Sequence, residues 1–383
     1  MKVAYVSPYV PQKCGIAAYS YYLAKAVKKI DSSSDITILT EDESVPRQRK
    51  RYKVIPCWNR KKNYADQILE HTNDIDILHI QHEYKIYGFD ERLLLLLHKL
   101  GKNTRKIITF HCLIPAQFSK RGQIEESYVA RLSQLVDNII VHSVSQSLIL
   151  NRIGVPASKI TVIPHGTLIT NKSKSISRKR LGLPPDVKLL VCFGFIKKHK
   201  CIHVALKTFA KILKTRTDVR LHISGGLAPN ANPSDRKYAK SLPKKIKEMG
   251  LKKYVLYDKM YCSNEDLPYL LGAADVVLFP YHEENRAISG VLHLALGARR
   301  PLIASRLPKF EELSEISDEL LVLPNNTDGM AKTALRLLED PIFKNYIITR
   351  IEQFRHMTSW EEVAKIHLSL YKSLSKFSIK VVT

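Results

Sequence analysis

Short apolar, β-branched runs recur along the chain, spaced so that a helix fits between most neighbours. In the first half they are "KVAYV", "DITIL", "YKVI", "DILHI", "KIITF", "NIIV" and "KITVI". A second series, "LLVCFG", "VRLHIS", "YVLY", "DVVLFP", "PLIA" and "ELLVL", is separated by helical patterns such as "HVALKTFAKILK" and "SLPKKIKEMG". Strands alternating with helices predict an α/β protein with parallel, doubly wound sheets, and two such series predict two similar domains. Between them "LITNKSKSISRKRLGLPPD" is polar, basic and without apolar period, which reads as a linker. The expected organisation is a first Rossmann-like domain over 1–170, a basic linker over 171–186 and a second Rossmann-like domain over 187–358. In the tail "SWEEVAKIHLSLYKSL", Val363, Ile366 and Leu370 fall at helical spacing behind Ser359 as N-cap, and this C-terminal helix, about 360–383, is expected to join the first domain.

Open α/β sheets bind ligands outside the carboxyl ends of their strands. Two facing domains would turn both sets of strand ends toward one cleft, so residues just after strands are the candidates. In "DVVLFPYHEENRAISGVLHLALGARRPLIAS" a strand runs into a polar loop, then Ser289-Gly290-Val291, an apolar helix and another strand, the order of a βαβ unit. After "LLVCFG", Gly194 makes a turn and Lys197 and Lys200 precede an amphipathic helix. There they suit a diphosphate backed by helix amides, or form a solvated basic turn. Gly15 and Ile16 open the helix after the first strand, where amides can approach a sugar or phosphate. His111 ends the strand "KIITF", where it can hydrogen-bond a ligand hydroxyl or is a satisfied polar residue. His82 and Glu83 end "DILHI", as acceptor contacts or as support for the strand end.

Composition narrows the classes. At 383 residues with 45% hydrophobic content, each domain can bury its own core. Lys and Arg outnumber Asp and Glu 61 to 36, a net charge of +25 that suits phosphorylated ligands, anionic lipid or nucleic acid. Six cysteines without zinc or redox spacing read as reduced core thiols and predict a cytoplasmic protein. The N-terminal run suits a strand rather than an export signal, and the longest leucine run, Leu93 to Leu97, is far short of a bilayer span.

The segment "FGFIKKHKCI" resembles the phosphate-binding segment of family-4 glycosyltransferases of the GT-B fold, with Lys197 for the family's Arg, Lys200 for its Lys and Cys201 for the Gly that follows. The resemblance covers nearly the whole chain. "VSPYVPQKCGIAAYSYYLAKAV" is similar to the family's opening strand and Gly loop, "TFH" to its acceptor-side histidine, "IPHGT" to its hinge motif and "SWEEVAKIHLSLY" to its terminal helix. "SGVL...A...PLIAS" resembles a branch that lacks the commoner motif of glutamate, seven residues, glutamate. Counting back from "PLIAS" puts Leu294 and Arg286 at the two glutamate positions, and Glu283 and Glu284 are the nearest acidic substitutes, or solvated loop charges.

What the resemblance implies is a metal-independent, retaining transferase that moves a hexose such as mannose or glucose from a nucleotide diphosphate to an acceptor hydroxyl on a glycan, a lipid-linked or another acceptor. It implies catalytic roles for His111, Lys197, Lys200 and Glu284, donor contacts from Gly15, Ile16, Gly194, Ser289, Gly290 and Val291, an acceptor side at His82 and Glu83, and no cofactor. A same-fold nucleotide-sugar epimerase and a basic nucleic-acid-binding protein are the alternatives.

Other motifs are set aside. "DID" at 74 to 76 imitates a metal-binding Asp-x-Asp, but Asp76 begins a strand. The zinc pattern H-E-x-x-H fails at Ile86, and neither a P-loop nor G-x-G-x-x-G occurs. "SGG" at 224 to 226 borders a nucleotide or is an ordinary turn. The basic runs Arg47 to Lys53 and Arg60 to Lys62 suit an anionic membrane surface, and with it a peripheral location at the inner face of the membrane. No interleaved aromatic stacking motif accompanies them, which disfavours nucleic acid.

Overall fold

The computed structural model describes residues 1–42, 52–119, 121–228, 231–260, 262–263, 265–282 and 288–376. The described chain divides into two compact units, one built on Met1–Gly166 together with the C-terminal helix Trp360–Lys376, the other running from Thr167 to Met357.

The first unit holds seven strands: β1 (Lys2–Val6), β2 (Asp35–Glu41), β3 (Lys53–Trp58), β4 (Ile77–His82), β5 (Arg105–Phe110), β6 (Asn138–Val141) and β7 (Ile160–Val162). All pair in parallel, in the order β3-β2-β1-β4-β5-β6-β7. The second holds β8 (Lys188–Phe193), β9 (Val219–Ser224), β10 (Val255–Asp258), β11 (Val276–Phe279), β12 (Leu302–Ser305) and β13 (Leu321–Val322), again all parallel, in the order β10-β9-β8-β11-β12-β13. Central strands read as near-continuous apolar runs because helices cover both faces; "VVLF" of β11 is buried throughout. Between strands the helical period takes over. In Ile202–Leu213 the buried residues Ile202, Ala205, Phe209 and Ile212 form the stripe that faces the second core.

In each sheet the strand order reverses once, between β1 and β4 and between β8 and β11. Such reversals leave a crevice at the carboxyl ends of the two strands. Each site below is built at one of them.

Two expectations need correction. The units divide at Gly166, and the supposed linker carries the helix Lys174–Arg180, capped by Ser173, which accepts from Ile176 N at 3.3 Å. This helix is part of the second unit: Arg178 is buried and donates to Asp275 Oδ2 at 2.8 Å. The basic residues looked solvated because their carboxylate partner lies far ahead in sequence. In the first unit the motifs "IPHGT" and "SWEEV" meet, since a Cβ on Gly166 would fall 2.3 Å from the Trp360 ring. Only glycine fits under that indole.

Candidate functional site

In the second unit β8 ends at Phe193 and Gly194 follows at φ +94°, a conformation that excludes most side chains. Lys200 folds back over this turn, its Nζ lying 2.8 Å from where a Gly194 Cβ would be, and is 9% exposed. Lys197, in extended conformation and half-buried, leads into the short turn Lys198–Lys200. Cys201 then takes the left-handed conformation, φ 49° and ψ 44°, and begins the helix Ile202–Leu213. For an L-residue that conformation costs about 1 to 2 kcal/mol, which accounts for glycine at this point of the pattern it resembles.

The stretch 224–226 braces the same turn. Gly194 N donates to Ser224 O at 3.0 Å and Ile196 N to Gly226 O at 2.8 Å. A Cβ on Gly225 would come within 2.0 Å of the Gly194 carbonyl oxygen. Backbone packing therefore explains Gly225.

Across the reversal, Tyr281 follows β11 and is buried against Phe279 and Phe310. Its ring receives Lys200 Nζ at 5.3 Å from the centroid and Lys309 Nζ at 5.8 Å. Val291 stands beside the Gly194 turn, its Cγ1 3.6 Å from the position of a Gly194 Cβ, so the start of the helix Gly290–Gly297 reaches the same place. Buried Ser289 is its N-cap without a side-chain capping bond, and no acidic residue lies in the first turn. Two lysines and the positive end of a helix thus gather at one strand-order reversal. Together they favour an anion.

In the first unit the helix Gly15–Ile30 opens after β1. Gly15 is exposed and a Cβ there would meet nothing within 4 Å, so packing within the protein does not demand glycine. Ile16 packs on the core. The neighbouring strand, "ILHIQH", is buried at every position, and its side chains alternate between faces. His79 and Gln81 share one face with Thr109 and His111 of the next strand and loop. His79 Nε2 lies 2.7 Å from Thr109 Oγ1 and its Nδ1 2.7 Å from Tyr371 of the C-terminal helix. His111 Nε2 is 2.9 Å from the Gln81 amide and its Nδ1 3.1 Å from His142 Nε2, while His142 Nδ1 donates to Ile163 O at 2.9 Å. The atom opposite His111 Nε2 is Gln81 Oε1, which only accepts, so His111 donates to Gln81 through Nε2 while its Nδ1 faces His142. Burial and neighbouring histidines hold His79 and His111 well below the usual imidazole range. Tyr19 packs its ring on His111, His142, His165 and Trp360.

These placements correct several expectations. Both ring nitrogens of His111 are committed inside the protein, so direct contact with a sugar hydroxyl requires one bond to be exchanged. His82, on the opposite face of β4, is fully buried among Tyr84, Tyr87, Phe110 and Tyr128, and neither ring nitrogen has a hydrogen-bond partner among the described residues. Its burial among these rings fits support of the strand end. Glu83 caps the next helical turn, Tyr84–Tyr87, by accepting from Lys85 N at 2.7 Å. Arg60 is tied to Glu41 by two bonds of 2.5 Å, whereas Lys61 and Lys62 are exposed. Glu283, Glu284, Arg286 and Arg47 to Arg51 lie outside the described residues.

"DID" falls at the amino-terminal ends of the central strands β1 and β4, away from their carboxyl ends, where Asp74 and Asp76 bond Lys2. Among the described residues no group of three His, Cys, Asp or Glu side chains is arranged to hold a metal. Sequence reasoning missed Lys309, Tyr281, Gln81 and His142. The polar alternation His79, Gln81 within a buried strand was a legible signal for the histidine network. Lys309, just past the strand "PLIAS", looked like any surface lysine.

Residues 187–340 match the family model described as glycosyl transferases group 1, and residues 15–167 that described as Glycosyltransferase Family 4. Over 208 residues, 54% of this chain, the sequence is 27% identical to a D-inositol 3-phosphate glycosyltransferase of Corynebacterium urealyticum. The chain spans about half the length of the curated relatives it matches, 47% of that one. Among solved structures, sucrose-phosphate synthase from Thermosynechococcus elongatus superposes with a TM-score of 0.75 at 20% identity, covering 98% of this chain and 100% of that one. Anabaena HepE in complex with UDP-glucose gives 0.75 at 16% identity, again with 98% and 100% covered. These likenesses establish the fold.

Proposed function

This chain belongs to glycosyltransferase family 4 and has the two-domain GT-B fold, and we propose that it is an enzyme moving a sugar from a nucleotide diphosphate donor to an acceptor hydroxyl. The observation that supports this most is the convergence of Lys200, the Gly194 turn and the start of the helix Gly290–Gly297 at the β8/β11 reversal. The donor diphosphate lies there, with Lys197 and Lys200 on its oxygens and the amides of Ser289, Gly290 and Val291 beneath it. Charge grows on the diphosphate as the sugar leaves, so these groups stabilise the transition state more than the ground state. The acceptor hydroxyl attacks from the same face and gives its proton to a departing phosphate oxygen. Configuration is retained, and neither a metal nor a strong enzymic base is used.

In the first unit Gly15 and Ile16 serve as donor contacts, His111 serves at the strand end and Glu284 is the acidic residue to test. The sugar is a hexose such as mannose or glucose. The relatives' name puts phosphorylated cyclitols first among acceptors to try, and the surplus of basic residues suits them. An epimerase is not favoured, because the matching family models describe glycosyltransferases. A peripheral place on anionic membrane through Lys61, Lys62 and the neighbouring basic run is part of the proposal; no helix among the described residues is long and apolar enough to cross a membrane. Vesicle co-sedimentation that is equal for neutral and anionic lipid would remove that part.

A thermal-shift panel of UDP-, GDP- and ADP-hexoses tests the donor, since a ligand of the native state alone raises Tm. One nucleotide series should raise it, and nucleoside diphosphate should be released when acceptor is added, with or without EDTA. Replacing Lys197 and Lys200 together by Ala should weaken the shift. If no nucleotide sugar binds at millimolar concentration, the proposal is wrong.

A further inference from the structure

Lys309 stands on the short helical segment Pro308–Glu315, which follows β12 and takes no part in the phosphate motif described above. It is only 7% exposed. Its Nζ shares the Tyr281 ring with Lys200 Nζ, so two ammonium groups meet one aromatic wall at the carboxyl end of β11.

The segment is held there from both sides. Phe310 stacks on Phe279 and packs edge-on against Tyr281. Glu312 Oε2 lies 3.1 Å from His293 Nε2, and His293 sits one turn into the helix Gly290–Gly297 and bonds Thr167 through Nδ1 at 2.8 Å. That latch ties the segment carrying Lys309 to the same helix. A single phosphate needs one such cation; a diphosphate presents two anionic centres to a pair of them.

We propose that Lys309 is a donor-binding residue that holds the nucleotide diphosphate jointly with Lys200, the two flanking Tyr281. The inference rests on the transfer reaction proposed above and adds a residue to its donor site.

Isothermal titration with UDP, GDP and ADP, and with the matching nucleosides, tests it on the wild type and on Lys309→Met, Lys309→Arg and Lys200→Met. For the diphosphate that binds, Lys309→Met should lose about tenfold or more in affinity while nucleoside affinity stays within about twofold, the scale of one charged hydrogen bond. Lys309→Arg, which keeps the charge, should stay within about threefold of wild type on the same scale. A purely structural lysine would lower nucleoside binding and Tm equally. Lys309→Gln is run alongside, so that a melted Met variant does not leave the question without an answer. Wild-type affinity in the Met and Gln variants, with a tenfold loss in Lys200→Met, overturns this inference alone. If the wild type binds none of the three diphosphates, the transfer reaction falls and this inference falls with it.

Discussion

Burying an imidazole in an apolar cluster strips water from two ring nitrogens, and at His82 neither regains a hydrogen bond among the described residues. Desolvation pushes its pKa down to about 3, so the ring is neutral at any ordinary pH. The geometry suits an aromatic: the ring stacks on Tyr87 at 5.7 Å and 14°, with Phe110 edge-on at 5.0 Å. His82→Phe should therefore raise stability by about 1 kcal/mol or more, the scale of one unsatisfied polar group. Urea denaturation measures it, and a destabilised variant would mean that the nitrogens do have partners. Gly225 is the opposite case. Its missing side chain is what lets the Gly194 carbonyl approach, so any substitution there opens the Gly194 turn.

The helix Lys174–Arg180 shows how an element can be hidden by its charges. Asp275, 3% exposed, stands just before β11 and accepts from Leu189 N at 2.8 Å, from Arg178 and from Lys174. Arg178 also donates to the Pro184 and Pro185 carbonyls, so one guanidinium joins helix, connecting loop and strand. Removing one partner of a buried pair leaves a charge without compensation, at a cost of about 3 to 5 kcal/mol. Asp275→Ala should lower the melting transition of the second unit by that amount, and adding Arg178→Met should recover part of the loss. If the single variant melts like wild type, the pair is not structural, and the helix is held by its apolar contacts alone.

Across the molecule the histidines have a collective effect. His79, His82, His111 and His367 are all buried in the first unit, and burial lowers each one, His82 to about 3 and His367 to about 4. Unfolded, each titrates near 6.5, so below that pH the unfolded chain binds more protons than the native one. Stability is then full above pH 6.5 and falls as pH drops toward 4, by about 1.4 kcal/mol per pH unit for each imidazole. Ordinary carboxylates titrate lower, so the loss should begin before they protonate. A Tm that stays flat from pH 7 to 5 would contradict this. Replacing His82 by Phe should flatten the slope by one proton.

The strand-helix alternation was legible because it follows from local rules: apolar runs of strand length, helical stripes between them, and parallel strands that need crossovers. All thirteen expected strands appear, as does the Ser359 cap, which Glu362 N meets at 3.3 Å. The places of the candidates at strand ends were legible too: Gly194, Lys197 and Lys200 follow β8, and Ser289 caps the helix Gly290–Gly297. What a residue does at such an end depends on groups distant in sequence. The face of β4 to which His82 points separated it from Gln81 and His111. Asp275 turned a solvated-looking linker into a packed helix, and Lys309 reached Lys200 only through the Tyr281 ring. Periodicity and spacing are properties of neighbours along the chain, whereas burial, charge compensation and close backbone approach are properties of neighbours in space. The second set exists only once the sheets have formed.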